Sequence, residues 1–294
     1  MTPVTVAVSM GDPLGIGPEV VCAALADPRA PKAVVFGERA ALLRAATLRK
    51  VALPASIVEV SGGALAFVDA AAEAVAGGGL QALCTAPLSK ERVALSAPGF
   101  VGHTEYLAQK AGARVAMMMA GPRLRIVLAT NHLALRDVPR LLTREQIAFV
   151  TVLCARELKA RFGIAQPRVA VLGLNPHAGD GGIFGDEEAR LIAPAIADAR
   201  AQGVDASGPF PADGFIPRAV RGACDAVVAL YHDQGLIPAK LLDFDETVNV
   251  TLGLPWPRTS PDHGTADDIA WKGVANAAPM LHALLLAEKL ARAT

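Results

Sequence analysis

A set of short runs, apolar almost throughout, constrains this chain most. AVVF (33–36), LQALCT (80–85), RIVLAT (125–130), RVAVLG (168–173) and DAVVALY (225–231) lack the strict apolar–polar alternation of a strand with one wet face. Strands buried on both faces read this way, and they belong to mainly parallel sheets covered by helices. Further strands are expected at 4–9, 56–60, 114–119 and 247–252. Segments of helical period lie at 17–27, 38–49, 66–77, 104–111, 144–162, 186–202 and 266–292. The pattern predicts an α/β fold with flanking helices. A closed eight-stranded barrel is the competing arrangement, but the strand spacing is irregular and 114–130 reads as a hairpin. No repeat or linker separates domains, so a second domain must share the sheet or be interleaved with the first.

Composition narrows the function classes. Lys+Arg and Asp+Glu both number 28 in 294 residues, and no basic run offers a surface for nucleic acid or anionic lipid. A bound anion must therefore be held by a few placed cations. Cys22, Cys84, Cys154 and Cys224 are scattered without C-x-x-C spacing, which predicts buried thiols in a reducing compartment. The start of the sequence runs straight into a strand, and no apolar stretch is long enough for a membrane span, so a cytoplasmic protein is expected.

In parallel α/β proteins ligands collect at the carboxyl ends of strands. Three strand candidates here end on an imidazole: His132 after RIVLAT, His177 after RVAVLG and His232 after DAVVALY. Converging there, the three would make a three-ligand metal site with positions open for substrate or water. Each taken alone is as well explained as an ordinary polar tip. MGDPLGIGPEVV (10–21) follows the first strand, but it lacks the third glycine of a dinucleotide fingerprint. Its glycines serve either a tight turn or a close approach of backbone to something else. Thr104 reads as a helix cap, and exposed N–H groups beside it can hold an anion. Lys240, Asn249 and Arg258 punctuate an apolar segment, and an inward cation there needs an anionic partner.

Eight ordered segments together resemble the 4-hydroxythreonine-4-phosphate dehydrogenase family of pyridoxal phosphate biosynthesis. They are MGDPLGIGPE, TAPLSK (85–90), GHTEYLA (102–108), NHLALRD (131–137), GLNPHAGDGG (173–182), YHDQGLIPAK (231–240), VNVTLGLPWPRTS (248–260) and DHGTA (262–266). The resemblance runs nearly end to end. It implies an isocitrate-dehydrogenase-like fold of two interleaved subdomains with a cleft between them, 1–100 plus 250–294 and 101–249. It also implies a homodimer with the active site at the subunit interface. His132, His177 and His232 match the family's ligands for one divalent ion (Zn, Mg, Co or Mn). His103, Thr104, Lys240, Asn249 and Arg258 match its substrate contacts, while His263, Gly264 and Thr265 resemble the stretch that meets the adenosine of NAD, with NADP left open. Lys240 and Asp213 are the candidate catalytic groups, Lys240 either removing a proton or holding an anionic end of the substrate.

The implied reaction oxidises the secondary alcohol of 4-phosphohydroxy-L-threonine, after which the 3-oxo acid loses carbon dioxide to give 3-amino-2-oxopropyl phosphate. One departure concerns the substrate: PADGFIP (211–217) has Gly214-Phe215 where the family usually shows Asp-Thr, an apolar residue and Phe. The same chemistry on D-threonate or D-erythronate 4-phosphate is the alternative. A metal-dependent aldolase or hydrolase, or a phosphate-binding protein without metal, are the readings from other classes.

Overall fold

The computed structural model of the protein describes residues 4–293. In chain order the elements are β1 (Val6–Ser9), α1 (Gly17–Leu25), β2 (Ala33–Gly37), α2 (Arg39–Arg49), β3 (Ile57–Glu59), α3 (Ala64–Ala76), β4 (Ala82–Thr85), α4 (Lys90–Ser96) and α5 (His103–Ala111). Then come β5 (Ala116–Ala120), β6 (Arg125–Leu128), α6 (Val138–Leu141), α7 (Arg144–Ala160), β7 (Arg168–Leu172), α8 (Ala193–Ala201), β8 (Asp205–Phe210), α9 (Ala212–Val220), β9 (Ala226–Ala229) and α10 (His232–Asp243). The chain closes with β10 (Val248–Leu252), β11 (Arg258–Pro261) and α11 (Ala278–Arg292). Two compact units divide it, Met1–Val115 with Val248–Thr294, and Ala116–Thr247.

In the first unit the strands run in the order β3-β2-β1-β4-β11-β10, parallel except for β10. Every residue of β1, β4 and β11 is buried, which is why these runs carry no alternation. Ala7, Leu83, Val68, Leu107 and Leu254 share one core cluster. In the second unit the order is β5-β6-β9-β7-β8, with only β5 antiparallel. The predicted hairpin at 114–130 is β5 with β6. Met119, Ile126, Leu172, Val227 and Leu236 anchor this unit's core. Pro18 sits in the first turn of α1, where its missing N–H costs nothing. Cys22, Cys84 and Cys154 are buried free thiols and Cys224 is half-buried. Among the described residues no helix is long and apolar enough to cross a membrane.

Two expectations need correction. The last helix, expected from residue 266, begins only at Ala278, just before Pro279. Residues 262–277 are irregular because side chains from elsewhere take their backbone groups. Buried Glu19 accepts the N–H of Trp271 (2.5 Å) and of Gly273 (2.9 Å), while Arg49 donates to the carbonyls of Gly273 and Ala275. Local helical period loses to these long-range partners. The second correction is Thr104, which lies inside α5, whose N-cap is Gly102. The strands β8 and β11 and the helices α4, α9 and α10 carry Gly, Pro or polar residues that broke the periodic pattern, so sequence reasoning passed over them.

Replacing Glu19 by Ala strips two half-buried N–H groups of their acceptor, with an expected loss of about 1–3 kcal/mol in urea unfolding. Glu19→Gln, which keeps one acceptor oxygen, should lose less. Equal stability of the Ala variant and the parent would show that Glu19 does not hold the 262–277 segment.

Candidate functional site

Parallel pairing sends β6, β9, β7 and β8 to one edge of the second unit, so the segments after them emerge side by side. They carry His132, His232, His177 and Asp213 respectively. The YHDQG ending of the β9 run then explains itself residue by residue. His232 opens α10, and its ring lies 5.6 Å, centroid to centroid, from that of His132. Asp233 approaches His232 Nδ1 at 2.7 Å, so its carboxylate accepts that ring N–H and leaves Nε2 facing away. Gln234 stitches the edge together: its side-chain oxygen accepts from Leu230 N–H and its amide donates to the Gly173 carbonyl, both at 2.7 Å. The Thr130 hydroxyl donates to the Leu230 carbonyl across the neighbouring tip.

His177 is presented differently. Residues His177, Ala178, Gly179, Asp180 and Gly181 form a left-handed turn, with φ of 55°, 54°, 82°, 43° and 67°. For the three non-glycine residues this region costs on the order of 1 kcal/mol or more each, and such strain concentrates at functional sites. Glu188 holds it in place. One carboxylate oxygen accepts the N–H groups of Leu174 and Asn175, both at 2.8 Å, and the other accepts the Asn175 side-chain amide at 3.0 Å. Burial pushes Glu188 up, but these donors outweigh it and leave its carboxyl below the usual range. A Cβ at Gly179 would sit 2.7 Å from the same carboxylate, so only glycine fits. The His177 ring meets Phe184 edge-on at 5.9 Å, on an exposed loop tipped by Ile183 and Phe184.

Thus two of the three predicted metal ligands are brought together within this chain. Among the described residues no group of three or more His, Cys, Asp or Glu side chains is gathered so that it could hold an ion. The His132–His232 pair nevertheless fits an ion: with nitrogen about 2.0–2.1 Å from zinc, two imidazoles sharing one ion have centroids about 5–6 Å apart. The carboxylate on the far ring nitrogen of His232 is the usual partner of a ligating histidine. Asp213 is exposed in the first turn of α9, next to Gly214, whose missing side chain leaves open space. Lys240 is half-buried on α10, two turns beyond His232 and so about 12 Å along the helix axis.

The first unit holds a second cluster. Arg258, 1% exposed, donates to the hydroxyls of Thr251 (3.1 Å) and Thr85 (2.6 Å), and its Nε has no partner. Burial pushes this guanidinium down to about 10. Thr104 lies 3.5 Å from the same Thr251 hydroxyl, and Asn249 is on β10 beside it. His103 opens α5 with Nε2 buried and unpartnered; burial, then Arg258, then Lys90 hold it well below the ordinary histidine range, so it is neutral at pH 7. A buried cation served only by hydroxyls, at the N-terminus of a helix, is poised for an anion.

The 262–277 segment brings His263, Gly264 and Thr265 against α1. Ile16 donates to the Thr265 carbonyl at 3.0 Å, and a Cβ at Gly15 would stand 2.8 Å from Thr265. Of the glycines of MGDPLGIGPE, Gly15 therefore admits Thr265, while Gly11 admits the Pro87 carbonyl and Gly17 that of Met10. Thr85, Thr251, Asp233 and Glu188 escaped sequence reasoning as site residues. TAPLSK, YHDQG and VNVTLGLPWPRTS hold three of them and were the available signal; Glu188 had none, because the turn it holds lies more than ten residues before it in the chain.

The chain is similar to known proteins along nearly its whole length. The family model "Pyridoxal phosphate biosynthetic protein PdxA" matches residues 29–287. A Geobacter metallireducens protein named 4-hydroxythreonine-4-phosphate dehydrogenase is 46% identical over 98% of this chain and 95% of its own length. The D-threonate 4-phosphate dehydrogenase of Salmonella typhimurium is 42% identical over 98% of this chain and 99% of its own. A crystal structure of 4-hydroxythreonine-4-phosphate dehydrogenase from Klebsiella pneumoniae superposes with a TM-score of 0.89 at 38% identity, covering 99% of this chain and 98% of that one. Isocitrate dehydrogenase from Methylococcus capsulatus, at 18% identity, TM-score 0.50 and coverage of 95% and 83%, shares the fold.

Arg258→Met keeps the volume and removes the buried charge. The variant should be as stable as the parent or more so by about 1 kcal/mol. It should also lose the rise in Tm that inorganic phosphate gives the parent. An undiminished phosphate effect would remove Arg258 from the anion site.

Proposed function

The chain belongs to the pyridoxal phosphate biosynthetic protein PdxA family, and on that premise we propose that it is a dehydrogenase oxidising the secondary alcohol of 4-phosphohydroxy-L-threonine. The 3-oxo acid then loses carbon dioxide to give 3-amino-2-oxopropyl phosphate. The observation that carries this reading is the buried Arg258, whose hydrogen bonds go to the hydroxyls of Thr85 and Thr251, with Thr104 and His103 close by, a cluster suited to a phosphorylated substrate. A dehydrogenase of this family works with a nicotinamide cofactor; NAD, with its adenosine end against His263, Gly264 and Thr265, is our assignment. When bound, a divalent ion lowers the pKa of the substrate hydroxyl, and the nicotinamide accepts the hydride.

The chain's own groups do the rest. Arg258 and Thr104 bind the phosphate, with Asn249 beside them, and neutral His103 donates or accepts a hydrogen bond without adding charge. Lys240 takes the hydroxyl proton or holds the carboxylate, and Asp213 is its candidate partner in proton transfer. His132 and His232 would hold the ion, Asp233 fixing the tautomer of His232. We assign the third ligand, His177, to a second copy of the chain in a two-fold dimer. Its exposed loop supports this, and so does an exposed apolar stripe on α10, where Ile237, Leu241 and Phe244 are 63%, 83% and 66% exposed.

D-threonate 4-phosphate is the second reading, favoured by the open space at Gly214 and by the Salmonella typhimurium relative. Purified protein with divalent metal and NAD should form reduced cofactor with 4-phosphohydroxy-L-threonine. Turnover of D-threonate 4-phosphate alone would move the substrate and keep the chemistry, and turnover of neither would overturn the assignment.

His232→Ala and His177→Ala should each lack metal-dependent turnover while keeping the parent's Tm within a few degrees. If ligands come from both copies, refolding an equal mixture makes half the dimers mixed, each with one intact site. Activity should then return to about a quarter of the parent's. No recovery would place all three ligands in one chain.

A further inference from the structure

The loop that carries His263 to Thr265 is tied down at two places by Glu19 and Arg49, both acting beyond Ala270. Nearer to Thr265 the tether is a charge bridge that neither the fold nor the proposed chemistry requires. Arg92, on α4, donates from Nε to Asp12 at 2.7 Å, and from its two terminal nitrogens to both oxygens of Asp267 at 2.7 and 3.0 Å. Asp12 is buried just past β1, where it also accepts the N–H groups of Leu14 and Ser89. Asp267 stands two residues past Thr265, and Arg92 first and the Thr265 hydroxyl second hold its carboxyl well below the usual carboxylate range. One guanidinium thus joins the loop after β1, the start of α4 and the short stretch from Thr265 to Asp267. Two carboxylates share it, and it is the cation each is paired with.

We propose that Arg92 is a positioning residue for the dinucleotide, setting Thr265 in its binding geometry through Asp267 before the cofactor arrives. The inference rests on the assignment of His263 to Thr265 as the cofactor contact. Its physical basis is preorganisation: without Arg92, Asp12 and Asp267 become two like charges with no shared cation. The segment around Thr265 then samples conformations that binding must first collect. Lysine cannot substitute, because three N–H groups in a fixed planar fork serve two carboxylates at once and an ammonium on a flexible stem does not. The effect belongs on cofactor affinity, since Arg92 donates to Asp12 and Asp267, neither of them in the anion cluster around Arg258.

The test is calorimetric titration of the intact protein with NAD, beside steady-state kinetics. Arg92→Leu and Arg92→Lys should raise the Kd for NAD by about five- to twentyfold. At saturating NAD, kcat and the KM for the phosphorylated substrate should stay within about twofold. Arg92→Lys keeps length and charge, so it reports even if Arg92→Leu folds poorly. Asp267→Asn should weaken NAD similarly, and adding it to Arg92→Leu should bring little further loss, because the two act through one path. An unchanged Kd in both Arg92 variants, while Thr265→Ala weakens NAD, overturns the inference and leaves the cofactor assignment standing. If Thr265→Ala and His263→Ala also bind NAD like the parent, the assignment and the inference fall together.

Discussion

Parallel pairing is the constraint on which everything else here depends. A sheet of parallel strands releases every chain at the same edge, and the polar groups of those ends need partners that the ladder no longer supplies. In the second unit the partners are Gln234 and Thr130, which bond across neighbouring tips. Because the tips are locked to one another, the imidazoles they carry are held in place as well. His132 and His232 end up with rings 5.6 Å apart because β6 and β9 are neighbours and the Thr130 hydroxyl ties their ends through the Leu230 carbonyl.

Both candidate clusters hold features that work against stability. Arg258 is a buried guanidinium whose partners are hydroxyls, and a single desolvated charge is among the costlier things a core can contain. Three non-glycine residues, His177 itself with Ala178 and Asp180, sit in the left-handed region, in a turn held by the Glu188 carboxylate. Away from these clusters, charges are paired in the ordinary way, as in Arg168 with Asp225 and Arg144 with Asp198. Unfavourable terms concentrated at the places where chemistry is proposed are what a preorganised binding site requires.

Substrate choice within the family turns on smaller features. Beside Asp213 stands Gly214, and the space a side chain would fill there is open. The anion cluster, built from Arg258 with Thr85, Thr251 and Thr104, suits any substrate that ends in phosphate. On the proposed reading, selection between an amino and a hydroxyl group elsewhere on the molecule would fall outside the cluster around Arg258, and the open space at Gly214 is where it is looked for.

What the sequence by itself determined was the class of fold, and it also offered the residues to which chemistry is assigned here by proposal. Unalternating runs such as DAVVALY cannot leave a face in water, so parallel sheet and tips bearing His132, His177 and His232 follow from local pattern alone. Arg258 announced itself as a cation in an apolar segment. Tertiary structure decided what depends on partners distant in the chain. Residues 266–277 have helical period, yet Glu19, some 250 positions away, takes their N–H groups and leaves them as a loop. Thr104 looks like a cap and instead faces Thr251 inside the unit. The three histidines share one edge, but only two face each other, because the strained turn held by Glu188 aims His177 elsewhere. Local periodicity records which face of an element is buried. It carries no trace of which distant carboxylate, hydroxyl or guanidinium will claim a given backbone or side-chain group, and those pairings are what shape a site.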